Sequence, residues 1–202
     1  MIIIDIEQLK NRKNKVILDN GEVLYLYNSE LKKLGLDIDS SISDEFYELI
    51  IRDYIFARAK KKALAILERA INSKHQVRTK LRRADYTEQV IDKVMEFLEE
   101  YNFVDDYVYS KVYIEANCNR KSKLELKMEL KKRGIDNDII QTIFEELSDD
   151  SEENAVRKFI RKYQDAQGNI PEDKKMKALS ALYRKGFDRD VIRKVIDMDC
   201  EY

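Results

Sequence analysis

The chain has 202 residues, 38 Lys and Arg against 39 Asp and Glu, and a formal net charge of −1. Apolar residues make up 44%, enough for a core, while 5 Gly and 1 Pro argue against a turn-rich sandwich or barrel and against a glycine-rich phosphate loop. One His and two Cys leave no metal cluster of recognised spacing and no disulfide framework, and no apolar run is long enough to cross a bilayer. The first residues lack the basic region and apolar stretch of a signal peptide. A soluble cytoplasmic protein, mostly α, is expected.

Residues 1–27 are the only β-like stretch. Val16-Ile17-Leu18 and Val23-Leu24-Tyr25-Leu26-Tyr27 flank Asp19-Asn20-Gly21-Glu22. Asn-Gly predicts a type I′ hairpin turn. Ile2, Ile4 and Ile6 alternate and predict a third strand. Residues 29–34 predict a short helix ending at Gly35, followed by a linker. A long helix follows over about 44–71, with Ile55, Ala59, Ala63, Leu64, Leu67 and Ile71 at helical spacing and one bend or break.

From there the sequence repeats. Residues 73–97, 122–146 and 174–197 align without gaps, at offsets of 49 and 52. Leu81, Leu130 and Leu182 coincide, as do Val90-Ile91, Ile139-Ile140 and Val191-Ile192, and Val94, Ile143 and Val195. These are apolar faces of two successive helices. Between them lies a turn: Asp85-Tyr86-Thr87, Gly134-Ile135-Asp136, Gly186-Phe187-Asp188. Gly closes the earlier helix in the left-handed region, with Asp85 in its place once. Thr87, Asp136 or Asp188 is expected to cap the next helix. Ser73…Gln76 and Ser122…Glu125 fit capping boxes, and Pro171-Glu172-Asp173 replaces them in the third copy. Another amphipathic helix precedes each pair, at about 44–71, 105–118 and 152–164. The unit is three helices, three times over.

The expected architecture is therefore an elongated, curved stack of three tandem three-helix repeats behind a small N-terminal β-hairpin or sheet. Its segments are 1–42 (hairpin and linker), 43–101, 102–150 and 151–202 (one repeat each).

No catalytic constellation emerges. His75 sits in a helix's first turn, Cys118 at a helix end and Cys200 near the C-terminus, none beside an activating partner. No nucleophile elbow, phosphate loop or zinc-binding helix motif is present. Asp105-Asp106 reads as a helix start. No catalytic residue, metal or cofactor is expected.

The charge is uneven. Residues 51–94 hold 12 basic and 5 acidic residues, residues 111–133 hold 8 and 3, and the first 50 hold 6 and 10. Each repeat's middle helix ends in bases: Arg82-Arg83, Lys131-Lys132-Arg133, Arg184-Lys185. Cations at a helix C-terminus suit the helix dipole. Their recurrence also predicts a basic stripe of Arg82, Arg83, Lys127, Lys131, Lys132, Arg133, Arg184 and Lys185 that meets an acidic partner or a nucleic-acid backbone. Gly134, Asp136, Gly186, Phe187 and Asp188 are the structural turn residues. Tyr101, Tyr107, Tyr109 and Tyr113 cluster at a repeat junction, with 109 and 113 spaced for burial.

These residues resemble the RecX family of recombination regulators. Ala63-Leu64…Leu67…Ser73…Val77…Leu81 is similar to the family's first repeat. Glu100-Tyr101-Asn102-Phe103-Val104-Asp105-Asp106, followed by Tyr109 and Tyr113-Ile114, is similar to its junction. Leu130-Lys131-Lys132-Arg133-Gly134-Ile135 and Leu182-Tyr183-Arg184-Lys185-Gly186-Phe187 are similar to the ends of its later repeats. The likeness covers about residues 15–198. It departs at Asn117–Ser122, where the family often carries a Gly. The resemblance implies a non-catalytic monomer that binds RecA filaments on single-stranded DNA and inhibits ATP hydrolysis, strand exchange and filament growth, with weak affinity for DNA alone. A direct DNA-binding helix-turn-helix-like protein and a generic helical scaffold are the alternatives.

Overall fold

The computed structural model describes residues 1–146 and 150–198, and Cys200 lies outside them. The chain forms two compact units, residues 1–104 and 105–202. It is mostly helical, with one three-stranded antiparallel sheet of order β1-β2-β3.

Unit 1 opens with that sheet: β1 (Ile3–Gln8), β2 (Lys13–Leu18) and β3 (Val23–Tyr27). Asn14, Val16 and Leu18 on β2 and Leu24 and Leu26 on β3 turn inward. The expected third strand is present as β1, but the alternating Ile2, Ile4 and Ile6 do not line its buried side. Ile3 is fully buried, whereas Ile2 and Ile4 are 44% and 55% exposed. A bulge between Ile3 and Asp5 absorbs one residue, so Ile3 pairs with Leu18 and Ile6 with Val16. The β2–β3 turn is also corrected. Only Gly21 has positive φ, at 84°, and Gly21 N–H donates to Leu18 O at 3.0 Å while Leu18 N–H donates to Glu22 O at 2.9 Å. This is a three-residue loop with Gly in the left-handed region, rather than a type I′ turn. Asp19 is held there by Ile2, whose N–H donates to its Oδ1 at 2.9 Å.

Helix α1 (Asn28–Leu34) ends at Gly35 with φ 66°. The long predicted helix is continuous, but in three parts: α2 (Asp44–Leu49), a π-helical stretch Ile50–Phe56, and α3 (Ala57–Arg69). Tyr47, Ile51, Ile55, Ala59 and Ala63 are all buried at a spacing of four. In an unbroken α-helix such a series drifts about 40° per step and leaves the core face. The wider π turn opposes that drift and keeps the series inside. Arg58 on α3 ties the sheet down. Its guanidinium lies 4.7 Å from the Tyr27 ring, pairs with Glu30 and donates to Tyr25 O at 2.7 Å. Both charged side chains are about four-fifths buried. Arg58→Met is expected to lower unit 1 stability by about 2–3 kcal/mol in urea denaturation, because Glu30 is left without its cation.

Helices α4 (Lys74–Arg82) and α5 (Glu88–Glu100) complete unit 1, and their apolar faces join the hairpin and α3 in one core. Unit 2 holds α6 (Asp106–Asn117), α7 (Lys123–Lys132) and α8 (Asn137–Glu145), then α9 (Asp150–Ile160), α10 (Glu172–Arg184) and α11 (Arg189–Met198). Each trio has its own core. Tyr109, Ile114, Leu126, Leu130, Ile140 and Ile143 form one, and Val156, Ile160, Leu182, Ile192 and Val195 the other.

The three repeat turns share one geometry. Asp85, Gly134 and Gly186 have φ of 61°, 76° and 75°. Tyr86, Ile135 and Phe187 N–H groups each donate back five residues, to Leu81, Leu130 and Leu182 O. That bond and left-handed residue define a Schellman closure. The following cap varies. Asp136 accepts from Asp138 N–H at 2.9 Å and Asp188 from Asp190 N–H at 2.8 Å, but Thr87 makes no side-chain cap bond, contrary to expectation. The Ser73–Gln76 capping box closes. The expected Ser122–Glu125 box is only half made: Ser122 accepts from Glu125 N–H at 3.1 Å, while the Glu125 carboxylate turns to Lys185 at 3.8 Å. The Asn117–Ser122 loop closes through Arg120 and Lys121 N–H donating to Asn117 O, with no left-handed residue.

Docking contacts from earlier in the chain hold the first and third of these turns. In unit 1, Lys13 Nζ donates to Ala84 O and to Asp85 Oδ2, both at 2.9 Å. In unit 2, Ser122 Oγ donates to Lys185 O at 2.7 Å, and buried Glu152 accepts from Lys123 N–H at 3.2 Å.

A candidate partner-binding set of cations

The predicted basic stripe divides into paired and unpaired members. Arg82 pairs with Glu88, and this hydrogen bond holds the Glu88 carboxyl below its usual range. Lys127 sits over the Phe144 ring at 4.9 Å. Arg133 lies over Tyr113 at 4.2 Å and reaches Glu129 at 3.9 Å. Lys185 pairs with Glu125 and lies 5.5 Å from the Phe159 ring. These four side chains have partners within the chain.

Arg83, Lys131, Lys132 and Arg184 are exposed, and their side chains have no ion pair, hydrogen bond or ring contact among the described residues. Three of them occupy one repeat position: 83, 132 and 184. The local cause is the same in each case. The middle helix ends there, and two residues later a left-handed residue turns the chain away. The last carbonyls of the helix favour a cation at that point without giving it a partner. An exposed Arg or Lys of this kind keeps its full donor set for a phosphate or carboxylate from outside.

The turn residues behave structurally. Phe187 is buried with its ring 6.1 Å from Phe159. Gly186 is hemmed in: a Cβ there would stand 2.6 Å from Leu124 Cδ2 and 3.1 Å from Leu124 Cβ. Asp105 caps α6, accepting from Tyr107 N–H at 2.7 Å. Tyr107 and Lys111 share Glu146, at 2.8 and 3.0 Å, and Lys111 is pushed up to about 12 by these two neighbours.

His75 is exposed in the first turn of α4, and Cys118 is half-buried with Sγ 3.6 Å from Glu115 O. Among the described residues no three His, Cys, Asp or Glu side chains gather as a metal site, and no helix is long and apolar enough to cross a membrane. Tyr109 and Tyr113 stack at 6.3 Å, as their spacing suggests. Sequence reasoning missed one patch. Phe97, Tyr101 and Phe103 rings stand 4.9–6.4 Å apart, with Tyr101 59% exposed and Lys60 over Phe97 at 4.7 Å. The only sequence signal was the tyrosine-rich junction.

Comparison with known proteins gives a consistent result. Residues 59–98 match the family model described as RecX, first three-helix domain, and residues 149–196 match RecX, third three-helix domain. The chain is 31% identical over 204 residues to the regulatory protein RecX of Clostridioides difficile, covering 97% of this chain and 94% of that one. It is 31% identical over 166 residues to the regulatory protein RecX of Clostridium acetobutylicum, covering 78% of each. A crystal structure of regulatory protein RecX superposes with a TM-score of 0.66 at 21% identity, covering 97% of this chain and 98% of that one. The RecX crystal structure from Lactobacillus salivarius gives 0.61 at 23% identity, covering 73% and 97%. With the repeats, the turns and these relatives in agreement, the chain belongs to the RecX family.

Proposed function

We propose that this chain is a non-catalytic regulator that binds RecA filaments on single-stranded DNA and restrains their ATP hydrolysis, strand exchange and growth. Each three-helix repeat, residues 43–101, 102–150 and 151–202, contributes its own contacts, and the chain acts as a monomer in the cytoplasm. The observation that carries this reading is the unpaired cation at position 83, 132 and 184 of successive repeats. A partner that is itself a periodic polymer, with acidic protein surface and phosphate, suits a recurring point charge.

The test is RecA ATPase on single-stranded DNA, titrated with this protein. The rate is expected to fall as the protein approaches the concentration of filament-bound RecA. An unchanged rate at several-fold excess removes the reading. DNA binding without RecA is measured in parallel at low and moderate salt. A net charge of −1 argues against strong autonomous binding. Tight binding that falls steeply with salt would move the function to direct DNA recognition.

A further inference from the structure

The turn between β1 and β2 lies at the opposite end of the sheet from Gly21. Gln8, Leu9, Lys10, Asn11 and Arg12 are all exposed there. Leu9 N–H donates to Lys13 O at 2.8 Å, and Lys13 N–H donates to Lys10 O. The chain reverses through two consecutive left-handed residues, Asn11 at φ 61° and Arg12 at φ 60°. Among the described residues, five besides glycine have positive φ, and four of them are Asn or Asp. Those two types tolerate the region because a short polar side chain can bond locally. Arg12 is the exception. Such turns favour Gly at the second left-handed position. Gly would relieve the backbone here at no packing cost, since Arg12 is exposed.

Arg12 gives the fold nothing in return. Its side chain and that of Lys10 have no ion pair, hydrogen bond or ring contact among the described residues. Their neighbours differ: Lys13 pairs with Asp85, and Lys15 with Glu7. Residues 8–18 hold four of the six bases of the first 50 residues and no acid. Two of those four are committed to the fold, and two stand free at the tip. A strained residue that the fold does not use points to a use outside it.

The composition of the tip selects the ligand. Gln8, Lys10, Asn11 and Arg12 all carry side-chain donors and none a negative charge, the set that contacts nucleic-acid phosphates. A protein interface is built around apolar or aromatic anchors, and the tip offers only Leu9, 36% exposed. A phosphate contact needs no such centre. Lys13 also fastens the base of the tip to Ala84 O, next to the unpaired Arg83. Successive phosphates along one strand can meet several separate cations, which a single carboxylate cannot.

We infer that the β1–β2 tip binds the phosphodiester backbone of a nucleic-acid strand through Lys10 and Arg12. The inference deepens the filament reading and rests on it only for the source of the strand.

The probe is a fluorescently labelled oligonucleotide of mixed sequence, titrated with the full chain at low salt without RecA and followed by anisotropy. One arm uses the single strand and the other its duplex. Weak, salt-sensitive binding is expected in at least one arm. Lys10→Gln with Arg12→Gln is expected to weaken it by about fivefold or more and to lower the salt slope by about 2. The arm with the larger loss identifies the form of the strand. Arg12→Lys keeps most of the affinity. Arg12→Gly is expected to weaken binding while raising the urea midpoint, so the loss of affinity cannot be a loss of fold. No binding in either arm, an unchanged affinity and slope in the double variant, or equal displacement of the oligonucleotide by polyglutamate would each overturn the inference. The last result would assign the tip to an acidic protein surface. RecA takes no part in the titration, so failure here leaves the ATPase test standing, and the reverse.

Discussion

Replacing Arg83, Lys132 and Arg184 together by Glu is expected to abolish restraint of RecA ATPase at concentrations where the unaltered chain acts fully. Each side chain is exposed and internally unpaired, so its reversal removes an external contact and opposes the partner's own negative charge. Exposed contacts are worth roughly 0.5–1 kcal/mol each, and reversal about doubles the loss, so three give a weakening of roughly 100-fold or more. The cost to the fold is divided, one position lying in unit 1 and two in unit 2, and at full exposure each cation contributes about 0.3 kcal/mol, about twice that on reversal. Helical content by circular dichroism is therefore expected to be unchanged. The milder Arg83→Gln, Lys132→Gln, Arg184→Gln triple variant should fall between the two. If the reversed protein still inhibits at the original concentration, these three positions do not face the filament.

A large stability effect from a single added methyl group is expected at Gly186. Gly186→Ala meets two costs: a side chain at φ 75°, and a Cβ 2.6 Å from Leu124 Cδ2. Gly35, at φ 66° with nothing within 4 Å, supplies the reference. Gly35→Ala should cost about 1 kcal/mol, the conformational term alone. Gly186→Ala should cost about 2–3 kcal/mol, since Leu124 Cβ at 3.1 Å belongs to a helix and yields little. Urea denaturation of both variants measures the difference. Adding Leu124→Ala to Gly186→Ala should recover only the part due to Cδ2 and Cγ, because alanine keeps the Cβ at 3.1 Å. Equal costs for Gly186→Ala and Gly35→Ala would show that the close approach carries no energy.

Much of the fold was legible because it is local and repeated. A Leu every repeat, an apolar pair one turn later and a Gly or Asp between them dictate two helices and a Schellman closure without reference to anything distant. What failed depended on one residue of register or on distant partners. Alternation of Ile2, Ile4 and Ile6 cannot reveal a bulge, because the absorbed residue is identified only by what β2 presents opposite it. Asn20-Gly21 suits two turn types, and the pairing of Asp19 with Ile2 selects between them. Thr87 stands at a cap position yet makes no cap bond. The basic stripe was legible as composition and illegible as chemistry. Whether a base is free rests on partners such as Glu125 for Lys185, sixty residues away, or the Phe144 ring for Lys127.

Lys13 and Ser122 do the same task with different chemistry. Position 84 in the first repeat corresponds to position 185 in the third, and each offers a backbone carbonyl that needs a donor from an earlier part of the chain. An ammonium on a β-strand supplies one, and a hydroxyl at a helix start supplies the other. The interchangeable part of this architecture is therefore the joint rather than the three-helix module. Moving the first or the third repeat would require moving its donor with it. The hairpin, for all its different secondary structure, stands in the chain where a preceding repeat would stand.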